Sequence, residues 1–524
     1  MSQSEILGCR RPRSRQVKKL PRLLIILLLG LFGFIISPVG IPGDQSSGVR
    51  SERFDRTIFR SGLIKAKQTL VDRLETAPFY QIDLEIPDGF SPLKGRELVR
   101  YINRSDGPLS DISLCLYHNA MIHCKCVLNS VKVNGAVVQP MSERNGAVAK
   151  LSLPKPIEPG KEAILDIEFE MNIRVEREGE YYLIIGYISR MLVLPVFYPV
   201  IPVHDQTGWN TAPLQMWGDE TFHDAAFYVV RVVAPSSLTL VGSGIPVKAE
   251  RQGDRQVVTF ALGPARDFYL AAATDLAVAS AKVGETTAKS YAFTERKEGA
   301  QKALGYALKA LEVFGNLFGP YPYTEFDLIS VPMLTGAMEY SGLVGVAFAE
   351  YGPEKETKLE YVIVHEVAHQ WFYNIVGSDQ VDEPWLDEAL AQFATLLYFR
   401  DVHGPEAAKE ILNSWHGLWD EGLRATIPIG RPSSSYRTAK VYKAIVYGRG
   451  PLFLAALEER MGREKFAAFL ADYVRTNEWK IATTASFKDL AEQHCRCDLT
   501  PLFEEWVSLP SKPPSPSGGG GIYR

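Results

Sequence analysis

The sequence predicts an α+β chain in two parts, a β-rich N-terminal domain followed by a mainly helical one. Three observations predict it. Between about Pro78 and Asp275, short alternating or β-branched runs (YQIDLEI, AILDIEFEM, MLVLPVF, FYVVRVVAP) are separated by the turn signals PDG, VNG, EPGK and RQGD. After about Leu276 the apolar period becomes that of a helix, in ERKEGAQKALGYALKALEVFGNLFG, and persists to about Trp506, interrupted by one strand-like run, FDLISVPML. The 524 residues, 46% hydrophobic and 11% aromatic, supply enough apolar surface for two or three domains.

Ahead of these domains, residues 1–22 read as a basic cytoplasmic segment, with seven Lys or Arg between Arg10 and Arg22. The apolar run LLIILLLGLFGFIISPVGI (Leu23 to Ile41) follows directly. At about 1.5 Å per residue it nearly spans a hydrocarbon layer of about 30 Å. The basic flank then predicts a cytoplasmic N-terminus and an extracytoplasmic remainder. Residues 23–42 are therefore expected to be a transmembrane signal-anchor; no small-x-small cleavage site stands out, and cleavage would make the protein secreted. Residues 43–77 read as a stalk or leading helix, with apolar positions at Phe54, Ile58, Leu63 and Leu70. The β domain covers 78–275 and the helical domain 276–509. The closing PSKPPSPSGGGGIYR lies in 510–524, a segment too rich in Pro, Ser and Gly to bury a core and expected to be disordered.

A net charge of -4, with no basic run after residue 22, argues against nucleic acid as a partner. Six cysteines include the pairs in HCKC (His123 to Cys126) and HCRC (His494 to Cys497). Cys-x-Cys lacks the two-residue gap usual for structural zinc, so bridged or plain core cysteines are the better reading, with the pairing left open.

The chemistry concentrates in VIVHEVAHQWFYNIVGSDQVDEPWLDEALAQF, Val362 to Phe393. On a helix, residues i and i+4 share a face, so His365 and His369 can converge on one ion. His-Glu-x-x-His in an apolar helix is the pattern in which two imidazoles bind zinc and the intervening Glu366 points at the reacting water. A single histidine on such a helix is usually a core residue; the pair, the glutamate and the acidic helix behind them argue otherwise. A third protein ligand is required, and Asp382, Glu383, Asp387 and Glu388 all offer a carboxylate.

HEVAHQWF, then WLDEAL, preceded by GAMEYSGL from Gly336, resemble the membrane alanyl aminopeptidase family of zinc metallopeptidases, gluzincins related to leukotriene hydrolase. The resemblance runs from about Tyr80 to Val507 and includes GWN at Gly208, GD at Gly218 and DLTPLFEEWV. It implies that the helical domain is thermolysin-like; many relatives continue into a large C-terminal helical domain, and here the expectation departs from the family in having no large C-terminal helical-repeat domain. It also implies one zinc per chain, held by His365, His369 and Glu388, with Glu366 as general base. Tyr447, ahead of GRG, would be the donor to the developing oxyanion, with Tyr442 as runner-up. Glu339 would bind the free ammonium group of a peptide substrate, and Gly336 and Ala337 would line that peptide. Tyr340 stands where the family has asparagine, which puts the shape of the first specificity pocket in question. The expected function is a membrane-anchored, extracytoplasmic zinc aminopeptidase. The alternatives are an endopeptidase or non-peptide hydrolase on the same scaffold, and a non-catalytic peptide-binding protein.

Overall fold

The computed structural model describes residues 54–507, apart from 121–123, 177–184, 212–217, 219–221, 352–355 and 423–426. The basic segment, the apolar run, the tail and His123 of HCKC lie outside the described residues. Among the described residues, no helix is long and apolar enough to cross a membrane.

The N-terminal half is built on an eight-stranded sheet with Phe79–Glu85 near its centre, flanked by Ala226–Pro235 and Leu93–Ile102. Its pairings are antiparallel except between Phe79–Glu85 and Ala226–Pro235, which run parallel. The predicted alternation is realised: along Glu162–Asn172 the side chains of Ala163, Leu165, Ile167, Phe169 and Met171 are buried in turn. A five-stranded sheet, a three-stranded sheet and the short pair His204–Asp205 and Gly208–Trp209 also belong to this half. One strand of the five-stranded sheet, Tyr269–Ala273, is buried throughout and faces the second half.

Two further strands, Leu276–Val283 and Thr286–Phe293, follow where the sequence reading placed the onset of helices. They are short alternating runs ahead of the first long helical pattern. With Glu325–Val331, Leu343–Ala347 and Ala337–Tyr340 they form a second five-stranded sheet, in which Ala337–Tyr340 is an edge. Helix Lys297–Phe318 lies against this sheet and buries Ala300, Ala303, Ala307, Ala310 and Phe314, a stripe of mostly small residues at helical spacing. The aromatic end of that helix receives Trp371, whose indole N–H donates to the Gly319 carbonyl at 2.9 Å while its ring meets Phe314 edge-on at 5.7 Å. Burying Trp371 completely contributes about 3 kcal/mol of apolar transfer.

Residues 54–73 are not the continuous leading helix or stalk that the apolar spacing suggested. They form the 3₁₀ turns Thr57–Gly62 and Lys65–Lys67 and the one-turn helix Leu70–Arg73. Tertiary contacts override the local period. Phe59 packs on Phe79 and Phe227 of the N-terminal half, while the Ile64 N–H donates to the Pro322 carbonyl of the second half at 2.9 Å. The segment is a strap across both halves.

A second tie between the halves is Arg266, at the end of strand Arg255–Ala265. Its side chain is 1% exposed and donates to the carbonyls of Asn374 at 3.1 Å, Tyr373 at 3.2 Å, His223 at 3.2 Å and Lys480 at 2.8 Å. The buried guanidinium thus sits among carbonyl oxygens, which is how a fully buried cation is accommodated. Gly377 makes room for it, because a Cβ there would stand 2.5 Å from Arg266 Cζ.

Cys495 and Cys497 are bonded to each other, and Cys115, Cys124 and Cys126 are free and buried. His494 of HCRC pairs with Asp472 at 3.0 Å. Among the described residues neither cysteine motif contributes to a cluster able to hold a metal.

Candidate metal centre

Helix Glu356–Ala368 carries His365 and Glu366, and His369 stands one residue past its last turn. Trp371 and Phe372 turn back on the Ala368 carbonyl, so the chain stops at the first helix and Asn374 closes onto His369. The second helix, Trp385–Val402, begins after Pro384 and brings Asp387 and Glu388 in its first turn, where the helix dipole favours carboxylates. The run WLDEALAQFATLLYF is buried at every position, which places these two acids inside the protein.

The i,i+4 geometry holds: the His365 and His369 rings lie 4.7 Å apart, edge to face, with their Nε2 atoms 3.3 Å from one another. Glu388 Oε2 lies 3.2 Å from His365 Nε2 and 3.6 Å from His369 Nε2. Three donor atoms therefore converge within 4.8 Å in a fully buried setting. Glu388 Oε2 is buried without a hydrogen-bond donor, which is costly unless a cation completes it. Two imidazole nitrogens and one carboxylate oxygen are also the donor set of a catalytic zinc with an open fourth position. The residues fit the ion.

The neighbouring acids separate by position. Glu383 turns away to accept the backbone N–H of Thr484 at 3.1 Å, and Asp382 is exposed. Asp387, a rival ligand in the sequence, instead accepts the Nδ1 proton of His369 at 2.7 Å, and its other oxygen accepts from Gln380. That bond fixes the tautomer with the His369 Nε2 lone pair directed at the metal position. Asp387 is thus a site residue whose role the sequence did not reveal, because i-1 of a helical ligand points elsewhere in most helices.

Glu366 is buried beside this cluster, its carboxylate within 4.8 Å of donor atoms on Glu339 and His369. Burial raises its pKa, partly offset by the two imidazoles. Glu339 comes from the edge strand Ala337–Tyr340, 4.0 Å from His369 Nδ1, and burial raises its pKa well above the usual carboxylate value, with His369 opposing. For Glu388, burial acts in the same upward direction, but the close approach of His365 and His369 overcomes it and holds the carboxyl well below its usual range. Four buried carboxylates around two imidazoles leave a site that is short of positive charge. It is built to receive cations.

Gly336 takes a left-handed backbone (φ +79°) just before the edge strand. Its N–H is held by Glu350, which also accepts from Thr335 and Lys358, and its carbonyl accepts the Ala347 N–H at 2.9 Å. Ala337 opens the strand, half-buried. Strand alternation puts Tyr340 on the face opposite Glu339, where its ring packs on Tyr269 of the N-terminal half at 4.4 Å. Tyr340 therefore faces the interdomain core.

Tyr447 lies in the π-helical turn Ala444–Arg449, and its hydroxyl donates to Glu388 Oε1. Such turns widen a helix by one residue and aim side chains that a regular helix would not. Tyr442, the runner-up, is buried against Gly218, where a Cβ would stand 2.5 Å from its hydroxyl oxygen. Tyr447 is therefore the tyrosine hydrogen-bonded to a candidate metal ligand.

Residues 302–506 match the model of the peptidase family M1 domain. Aminopeptidase 2 of Candida albicans is 23% identical over 304 residues, 55% of this chain and 33% of that protein. Probable aminopeptidase 2 of Sulfurisphaera tokodaii is 25% identical over 295 residues, 52% of this chain and 37% of the other. The chain spans about a third of the length of the curated relatives it matches. Among solved structures, an M1 zinc metallopeptidase from Deinococcus radiodurans has the same fold, with a TM-score of 0.60 at 20% identity, covering 86% of this chain and 97% of that one. A mutant of that enzyme bound to a Tyr-Ser-Ala substrate gives 0.63 at 21% identity, covering 84% and 96%.

Proposed function

We propose that this chain, whose residues 302–506 match the peptidase family M1 domain, is a zinc metallo-aminopeptidase that releases N-terminal residues from peptides. The observation that carries the reading is the position of Glu339, a buried carboxylate on the edge strand beside the convergent His365, His369 and Glu388. A peptide laid along that edge strand, over Gly336 and Ala337, would bring its terminal ammonium group to Glu339 and its first carbonyl to the metal position.

His365, His369 and Glu388 would hold the zinc. When bound, zinc supplies Lewis acidity, polarising the scissile carbonyl and making water nucleophilic near neutral pH. Glu366 is the general base: its buried, raised carboxyl takes a proton from the attacking water and passes it to the leaving amine. Tyr447 moves its hydroxyl from Glu388 to the developing oxyanion, a bond needed mainly in the transition state. Asp387 keeps the His369 ring in its tautomer throughout.

The basic segment and the apolar run Leu23 to Ile41 support a single-pass membrane anchor, with the N-terminus cytoplasmic and the catalytic domain extracytoplasmic. Cleavage after the run would release a secreted enzyme, and membrane fractionation of the full chain distinguishes the two.

The activity is tested with one peptide in two forms, free at its N-terminus and N-acetylated, given to the zinc-loaded full chain. Cleavage of the free form alone, at the first bond, is the expected result. Equal or faster cleavage of the acetylated form would refute the role of Glu339 and make the enzyme an endopeptidase. Glu366→Gln should keep its zinc and lose most hydrolysis in either case.

A further inference from the structure

Two segments must stand in a fixed relation if the ammonium anchor and the metal are to address the same peptide. One is the hairpin Ala337–Tyr340 to Leu343–Ala347, which carries Glu339. The other is the turn that follows helix Glu356–Ala368, His369 to Asn374. They belong to different layers, and nothing in the backbone of either dictates their separation.

Gln370, the residue after His369, joins them. It is 0% exposed, its Oε1 accepts the Gly342 N–H at 3.0 Å, and its Nε2 donates to the Tyr340 carbonyl at 3.0 Å. Both are backbone groups at the hairpin turn, the Gly342 N–H buried and the Tyr340 carbonyl part-buried. Both functions of one amide are therefore used on the residue after Glu339 and on the second residue beyond it. A side chain able only to donate or only to accept could not make both bonds.

The same segments are held a second time from the N-terminal half. Asp267 Oδ1 accepts the Ser341 N–H at 2.8 Å and Oδ2 accepts the Tyr373 hydroxyl at 2.5 Å. Ser341 Oγ accepts the Arg266 N–H at 2.9 Å. This outer tie acts on Ser341 and Tyr373, whereas Gln370 is the direct link from the metal helix to the anchor strand.

We infer that Gln370 is a positioning residue: its amide fixes how far Glu339 stands from His365 and His369, and so confines cleavage to the first peptide bond. The inference rests on the aminopeptidase reading above. It concerns the spacing between anchor and metal, while the metal ligands themselves are left untouched.

The test compares wild type with Gln370→Met, which keeps length and volume but can make neither bond. Each full-length protein is given the free and the N-acetylated peptide, and zinc content and thermal midpoint are measured alongside. The wild-type preference for the free amine tests the aminopeptidase reading by itself. If that preference is present, Gln370→Met should lower the free-to-acetylated ratio of kcat/KM by about tenfold or more, with zinc still one per chain. A merely structural role would lower the midpoint and leave the ratio unchanged, and an unchanged ratio overturns the inference. Should Gln370→Met fail to fold, Gln370→Glu retains the acceptor for the Gly342 N–H and opposes the Tyr340 carbonyl, and the same loss of ratio is expected. Failure of both variants to fold assigns Gln370 to folding and overturns the inference as well.

Discussion

Replacing Asp387 by alanine should weaken zinc binding by about tenfold, and the structure sets that size. Two acceptors share the Nδ1 proton of His369: Asp387 Oδ1 at 2.7 Å and the Phe372 carbonyl at 3.0 Å. In Asp387→Ala the carbonyl remains, so the tautomer that offers Nε2 to the metal is still available. What is lost is the charged acceptor. A hydrogen bond to an ionised group contributes about 1.5–3 kcal/mol and a neutral one about 1, so the difference is about 0.5–2 kcal/mol, or roughly two- to thirty-fold in affinity, with tenfold inside that range. This sits in the lower part of the range seen when an outer partner of a metal-bound histidine is removed, about 10–100-fold. The assay is competition for zinc between the protein and a chelator of known affinity at fixed pH, with circular dichroism to show that the variant folds. Asp387→Asn, which keeps a neutral acceptor, should fall between wild type and alanine. A folded Asp387→Ala variant with zinc affinity within twofold of wild type would refute the reasoning, because His369 would then need no charged partner.

Tyr447→Phe should lower kcat by about 10²–10³ while changing KM little, since the hydroxyl acts on charge that develops only in the transition state; the same pattern in Tyr442→Phe instead would reassign the role. Asp267 predicts a pH dependence of stability. Burial, opposed by hydrogen bonds from Tyr373 and Ser341, raises its pKa from 3.8 to about 6. The native state therefore holds a proton between about pH 4 and 6 that the unfolded chain has released. For this group stability is highest below pH 4 and falls as pH rises through 6, by about 3 kcal/mol in all. The urea-unfolding free energy of wild type relative to Asp267→Asn should decline by that amount across the window, and a constant difference would show that the carboxyl titrates normally.

How much was legible beforehand differs from residue to residue. Period-2 alternation marked Glu162–Asn172 as a half-buried strand because each side chain must choose a face of the sheet. The 3.6-residue period placed His365 and His369 on one side of a helix, and their Nε2 atoms do meet at 3.3 Å. Local rules failed where a segment was governed by what it packs against. The apolar spacing from Phe54 to Leu70 fits a helix, yet Phe59, Ile64 and their neighbours are used to strap two halves together, and the strap bends to reach both. Leu276–Val283 and Thr286–Phe293 were absorbed into a helical region because each run is short beside the 22-residue helix that follows.

By itself, then, the sequence determined the order of β-rich and helical parts and the residues able to meet at a metal, since periodicity and short spacings act within one element. Only the tertiary structure decided what crosses between elements. It chose Glu388 over three neighbouring acids, turned Asp387 to His369, brought Glu339 within 4.0 Å of the same ring and set Gln370 across the hairpin turn. The physical reason is that hydrogen bonds and ion pairs depend on distances between atoms far apart in the chain, and these are fixed by packing rather than by any local period.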